Sequence, residues 1–308
     1  MKLSFCKSIL FIASLICSIS ANAWGPDGHM TGGAIAYYYL KAHNPEVLPK
    51  VLATLQNHPW RDSTWAKRIV GLTPEQTNVA LFMLASTFPD DARDFPDLGG
   101  GKKPLWHYID YPFVPKGQNG VAVPPSSPNA QERLIALVGG YKAEAEGNQK
   151  AQDLCWIFHL IEDVHQPLHT ASMFDNALPQ KGDRGGNDRY VDPSDGTGVK
   201  KLHSYWDDLI VGSFATIPDK AQALLSNPKY AEDKLTELKS HPDNMVDWIK
   251  TESFQLAVKN AYQNGDINGL EANPTVLTAT YITNANTVAE RRIVLAGIRL
   301  AKKLATLY

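Results

Sequence analysis

The sequence predicts an all-α fold built as a single helical domain over residues 24–308, preceded by a removable leader over residues 1–23. Three observations point there. Apolar residues recur at intervals of three and four rather than two, the period of a helix with one buried face. Helix-start signals recur along the chain while strand-like alternation is rare. No low-complexity linker or internal repeat divides it.

The leader comes first. Lys2 and Lys7 flank an apolar run from Ile9 to Ile19, and Ala21-Asn22-Ala23 is a small-residue cleavage signal. The run is too short for a stable membrane anchor, so cleavage between Ala23 and Trp24 is expected, with a secreted or periplasmic product. A lipoprotein signal ending at Cys17 competes with this, but Ile16 is a poor residue ahead of such a cysteine. Losing Lys2 and Lys7 with no acid lowers the formal charge from −2 to −4. A nucleic-acid binder working by a broad basic surface is thereby disfavoured, and a phosphate ligand must be drawn by local charge such as metal ions. Cys6 and Cys17 leave with the leader, so Cys155 stands alone and no internal disulfide can form. The core and bound metal then supply the stability that bridges give to small secreted domains. The one N-x-[ST] match, Asn273-Pro274-Thr275, is spoiled by its proline, which leans toward a bacterial product. No protein partner is implied, and a monomer is expected.

The helices follow in order. Thr73-Pro74-Glu75-Gln76 joins a capping box to a proline at the first helical position and opens a helix to about Ser86. Ser127-Pro128 opens another to about Gly147, and a third covers about Asn148 to Val164. Val288, Leu295, Ile298 and Leu304 stripe a long C-terminal helix, with Arg291, Arg292, Lys302 and Lys303 on its wetter face. The best strand candidate is Leu105 to Tyr111. Loops rich in Gly and Pro cover Asp94 to Pro104, Pro112 to Pro128 and Phe174 to about Gly198, each beside a metal-type residue. Long loops in a compact domain are more often functional than accidental.

The chemistry concentrates in HLIEDVHQPLH, where His159, Asp163 and His169 sit at offsets 0, 4 and 10. The first two share a helical face one turn apart, and Pro167 breaks the helix so that His169 can turn back toward them. A lone H-x-x-x-D is usually structural. Here His203 and Asp207 repeat the spacing, and Asp90, His107 and His29 add further donors, making five imidazoles and three carboxylates. The α-amine and carbonyl of Trp24 would close a five-membered chelate ring on a metal once the leader is gone. Other conspicuous residues have plainer readings. His43, His58 and His241 are expected at the surface, and His165 faces away from Asp163. Trp60, Trp65, Trp106 and Trp156 belong to the core, and Lys102, Lys103, Lys200 and Lys201 are solvated loop charge or steer a phosphate chain.

In these segments the chain resembles the zinc-dependent single-strand-specific nucleases, the type I nucleases of fungi, plants and bacteria, which belong with the zinc-dependent phospholipases C. The resemblance rests on Trp24 with His29, Phe88-Pro89-Asp90, His107-Tyr108-Ile109-Asp110, His159-Asp163-His169, Gly185-Gly186-Asn187, and His203 with Asp207. It implies a mainly helical fold around three zinc ions. One is taken by Asp90, His107, His159 and Asp163, its neighbour by Trp24, His29 and a bridging Asp163, and the third by His169, His203 and Asp207. Nitrogen and oxygen donors without thiolate suit zinc, though manganese or cobalt would fit the same donors. The resemblance further implies that Arg93 contacts the phosphate, that Asp90 orients the nucleophile, that Tyr108 stacks on a base, and that Asp110 and Asn187 bind substrate. The segment Thr170 to Arg184 is longer than in the fungal and plant members. The implied activity is endonucleolytic hydrolysis of single-stranded DNA and RNA to 5′-phosphorylated products, with 3′-nucleotidase activity on nucleotides at the same site. A phospholipase C-type lipid hydrolase is the first alternative, and a non-catalytic, metal-stabilised helical protein the second. The Trp24-to-His29 spacing, Asp207 in place of glutamate and the Tyr108–Asp110 pair favour the nuclease.

Overall fold

The computed structural model describes residues 24–95 and 103–308; the expected leader and the middle of the loop between Asp94 and Pro104 lie outside them. Counting α-helices of six residues or more, α1 spans Pro26–His43, α2 Leu48–Gln56, α3 Pro74–Asp91 and α4 Ala130–Gly140. They are followed by α5 Asn148–Asp163, α6 Leu202–Asp207, α7 Ile217–Ser226 and α8 Ala279–Leu307. Five strands of two or three residues complete the picture: β1 Tyr111–Phe113, β2 Ala171–Met173, β3 Tyr190–Asp192, β4 Lys200–Lys201 and β5 Thr275–Val276. The mainly helical, single-domain architecture agrees with the sequence reading. Among the described residues no helix is long and apolar enough to cross a membrane.

Helix α1 is the central post, packed on α3, α7 and α8, while α5 packs on α3 and α4. Its residues Ala34, Ile35, Ala36, Tyr37 and Leu40 are all buried. Gly33 allows the close approach of α3: a Cβ there would lie 2.7 Å from the Phe82 carbonyl oxygen. Glycine inside a helix costs about 0.5–1 kcal/mol against alanine, and here that is offset by backbone proximity no other residue allows.

The expected capping box of Thr73 and Gln76 is present at the start of α3. The helix outlasts the expectation by more than a turn, running through Pro89 to Asp91. The Ala92 N–H closes its end on the Phe88 carbonyl at 2.9 Å, so the proline removes one donor without ending the helix. Asp90 is thereby placed in the last turn. At α4 the cap is Asn129 rather than Ser127-Pro128. Its side chain and that of Glu132 form a reciprocal box, and the helix gives way at Tyr141 to a 3₁₀ turn. The strand expected over Leu105 to Tyr111 is corrected: Pro104–His107 is a 3₁₀ turn and the strand begins only at Tyr111. Proline at the start of this stretch pre-sets the turn, which overrides the apolar character of Leu105 and Trp106.

On α8, Arg291 and Lys302 face solvent in part, but Arg292 and Lys303 are buried, contrary to the wet face expected of them. Arg292 and the neighbouring Arg299 close on the buried Glu252 at 2.5 and 2.7 Å. Burial would raise the Glu252 carboxyl, but hydrogen bonds and charge from Arg299 and Arg292 hold it down to about 2. Hydropathic periodicity cannot anticipate a charge whose partner lies 40 residues earlier in the chain.

His58, expected at the surface, is buried. Its ring stacks on Trp65 with centroids 4.1 Å apart and meets the edge of Phe88. Burial pushes its pKa down from 6.5 to about 3. Between those values the unfolded chain binds a proton that the folded chain refuses, so the folded state loses stability as pH falls through that window. Replacing His58 with Phe should remove this loss. The Tm of the variant relative to wild type should rise between pH ~7 and pH ~5, whereas parallel pH profiles would contradict the assignment. His43 is exposed and His241 half-buried beside Glu252.

The short strands matter because of what they join. β1 pairs with β2 in parallel, Tyr111 opposite Ala171, and so fixes the segment after His107 against the segment after His169. β3 pairs with β4 and β5 and holds the start of α6 in place. The loops after β1 and β2 also lie against each other, with the Val121 N–H donating to the Pro179 carbonyl at 2.6 Å.

Candidate metal centre

All eight side chains expected to ligate metal converge in one buried region drawn from six parts of the chain. α1 supplies His29, α3 supplies Asp90, the 3₁₀ turn supplies His107, α5 supplies His159 and Asp163, and the turn after it and α6 supply His169, His203 and Asp207. Three clusters result: His29 with His159 and Asp163; Asp90 with His107 and His159; and His169 with His203 and Asp207. His159 lies within reach of both members of the first pair of clusters.

Asp163 is the hinge of the arrangement. Its Oδ1 lies 3.4 Å from His29 Nε2, and its Oδ2 lies 3.2 Å from His159 Nε2 and 3.4 Å from His107 Nδ1. Each carboxylate oxygen thus faces a different cluster. The residue is fully buried, yet neither oxygen has a hydrogen-bond partner. Buried polar atoms are almost always paired, and an unpaired buried carboxylate is costly. His29 Nε2 is orphaned in the same way. Burial lifts the Asp163 carboxyl to about 7 and pushes His29 and His107 well below their usual range. Imidazoles that burial keeps neutral at His29 and His107, a His159 ring drawn toward the Asp163 and Asp90 carboxylates, and buried oxygens with nothing to bond are the donor set that a divalent cation completes.

The outer atoms of the imidazoles set their tautomers. His159 Nδ1 meets the Ser86 carbonyl at 2.8 Å, His169 Nδ1 meets the His107 carbonyl at 2.6 Å, and His203 Nδ1 meets the Gly185 carbonyl at 2.6 Å. A carbonyl only accepts, so each Nδ1 carries the proton and each Nε2 presents its lone pair inward. His107 is turned the other way, its Nδ1 lying 2.8 Å from His159 Nε2. In the third cluster His169 and His203 approach at 3.1 Å through their Nε2 atoms, and Asp207 lies 3.5 Å from His203. Gly185, at φ +64°, makes room for this: a Cβ there would lie 2.5 Å from the Leu168 carbonyl oxygen and 3.2 Å from the His203 ring.

Trp24 is fully buried at the foot of α1. Its indole donates to the Glu162 carbonyl at 3.1 Å, and the Gly25 N–H is tied to the Asp207 carbonyl at 3.0 Å. The Arg93 guanidinium contacts Asp90 at 2.5 Å. Tyr108 and Asp110 follow His107 on an extended stretch, both half-buried. Burial and the nearby Asp183 lift Asp110 to about 7, with Arg184 opposing. Asn187 uses its amide N–H to brace its own turn on the Arg184 carbonyl at 2.9 Å.

Three contributors escaped the sequence reading. Ser86 supplies the carbonyl behind His159, Gln166 donates to Asp207 at 2.7 Å, and Glu162 lies 2.6 Å from His29. Glu162 was the legible one, since it stands three residues after His159, close to the same helical face.

The S1/P1 Nuclease family profile matches residues 24–308. The chain is 24% identical to Endonuclease 3 of Arabidopsis thaliana over 317 residues, covering 96% of this chain and 92% of that one. It is 26% identical to Nuclease S1 of Aspergillus oryzae over 309 residues, covering 94% and 93%. With Endonuclease 5 of Arabidopsis thaliana it is 32% identical, but over 162 residues, about half the length of each. The match of the profile to the whole described region, on a helical scaffold that gathers the His and Asp set, places the chain in the S1/P1 Nuclease family, as a hydrolase of the nuclease class.

Proposed function

We propose that the chain is an exported, zinc-dependent endonuclease that hydrolyses single-stranded DNA and RNA to 5′-phosphorylated products, with 3′-nucleotidase activity at the same site. The observation that carries this reading is the convergence of His29, His107 and His159 on a fully buried Asp163 with both oxygens unpartnered. In this assignment Asp90, His107, His159 and Asp163 hold one zinc. The amine and carbonyl of Trp24, with His29 and Asp163, hold a second, and His169, His203 and Asp207 hold a third. Zinc in these positions supplies Lewis acidity toward water and toward the phosphate oxygens.

The chain's own groups do the rest. Asp90 accepts a hydrogen bond from the attacking water and so orients it. Arg93, already beside Asp90, offers its planar fork to the phosphate oxygens. Tyr108 offers a stacking face and Asp110 a carboxyl for the base edge. Only an unpaired base can swing out of its stack to use them, which is the physical source of single-strand preference. Asn187 shapes the turn beside the third cluster and borders the bound nucleotide. Export is supported by the cleavage signal at Ala23 and by the family match that begins at Trp24.

The test is to incubate protein with an authentic Trp24 terminus with single-stranded DNA, single-stranded RNA, duplex DNA and phosphatidylcholine vesicles, before and after chelation and zinc restoration. Zinc-restorable release of 5′-phosphorylated products from both single strands, with the duplex resisting, is expected. Lipid hydrolysis with intact nucleic acid would move the assignment to a phospholipase C-type enzyme. A fold that needs metal but cleaves no phosphate ester would make the protein non-catalytic.

A further inference from the structure

We propose that Glu162 is a positioning residue for the metal subsite at the N-terminus, acting through His29, and that its negative charge sets how tightly that subsite holds zinc. The inference rests on the zinc assignment above and adds a residue to it.

Glu162 is fully buried one position before Asp163, but it points at α1 instead of into the cluster. Its Oε2 lies 2.6 Å from His29 Nδ1, and its Oε1 accepts from the Ser86 hydroxyl at 2.9 Å. Both oxygens are committed, so Glu162 is not itself a ligand. Its backbone carbonyl meanwhile accepts from the Trp24 indole. One residue therefore ties down both Trp24 and His29, which this subsite takes for itself. The space is prepared on the facing helix: a Cβ at position 32 would lie 2.6 Å from Oε1 and 2.8 Å from Cδ, so Gly32 leaves room for the carboxylate.

The contrast with the other imidazoles gives the carboxylate its meaning. His159, His169 and His203 are each backed by a neutral carbonyl. Among the candidate ligand histidines, His29 has the carboxylate behind it. A carboxylate makes the imidazole a stronger donor than a carbonyl does, and such outer partners typically contribute 10- to 100-fold in metal affinity. The subsite that receives it has one imidazole and only a shared carboxylate of its own, so it has the least negative charge without this help. Burial by itself pushes the Glu162 carboxyl well above its usual range, and a cation bound at His29 is the positive charge that keeps it ionised.

The experiment compares wild type, Glu162→Gln and Glu162→Ala, all with an authentic Trp24 terminus, by zinc content and by titration against a chromogenic chelator. Gln keeps an acceptor for His29 and the Ser86 contact but loses the charge. One of three zinc equivalents should be released about 10- to 100-fold more readily in Glu162→Gln, the other two unchanged. In Glu162→Ala the content should fall to two, with a matching loss in kcat and little change in KM. Three equivalents held with wild-type affinity in Glu162→Gln, whatever the loss in Tm, would overturn the proposal and leave Glu162 a structural residue. Should Glu162→Ala fail to fold, Glu162→Gln alone decides. A wild-type protein that holds no zinc would overturn the zinc assignment and this inference together; three ions in wild type with no response to the Gln variant overturns only the inference.

Discussion

A protein carrying extra residues ahead of Trp24 should bind two zinc ions in place of three and cleave single-stranded DNA about a thousandfold more slowly than one beginning at Trp24. A free amine loses its proton near pH ~8 and more readily against a metal, whereas an amide nitrogen is a far weaker donor. Trp24 is buried against Glu162, and Gly25 is anchored to α6 through Asp207, so the amine of a chain beginning here would be held beside His29 and Asp163. Losing a metal that stabilises phosphate charge by several kcal/mol corresponds to about three orders of magnitude in rate. Side-by-side kinetics and zinc analysis of the extended and authentic proteins check this. Equal activity in a chain verified to retain its extension would remove Trp24 from the ligand set.

The second large effect is expected at Asp163. Asp163→Asn is nearly isosteric and should leave the helices intact, yet it replaces an anionic oxygen with an amide in both halves of the paired site. Because Oδ1 faces His29 while Oδ2 faces His107 and His159, two ions should be weakened at once, and the third, at His169, His203 and Asp207, spared. Zinc content should approach one per chain and activity should fall at least about a thousandfold. Three retained equivalents would refute the bridging role.

Much of this centre was legible because its ligands lie on regular spacing. A His and an Asp four residues apart on a helix share a face whatever surrounds them, and that alone aligned His159 with Asp163 and His203 with Asp207. The proline in the QPLH turn likewise announced that His169 would reverse direction. What the sequence did not disclose was set by partners distant in the chain. Arg292 reads as a solvated charge until Glu252 is placed beneath it. His58 reads as a surface residue until Trp65 and Phe88 close over it. The stretch before Tyr111 looked extended because apolar character carries no information about a proline-started 3₁₀ turn. The place of Glu162 three residues after His159 was legible, but its partners, His29 and Ser86, belong to two other helices and were not.

Whether this His and Asp cluster holds three zinc ions is read by anomalous diffraction at the zinc edge from crystals of the protein beginning at Trp24. Three peaks are expected: two flanking the oxygens of Asp163, and one among His169, His203 and Asp207. An absence of peaks in zinc-replete crystals, or a single peak with Asp163 bare, would contradict the three-zinc assignment.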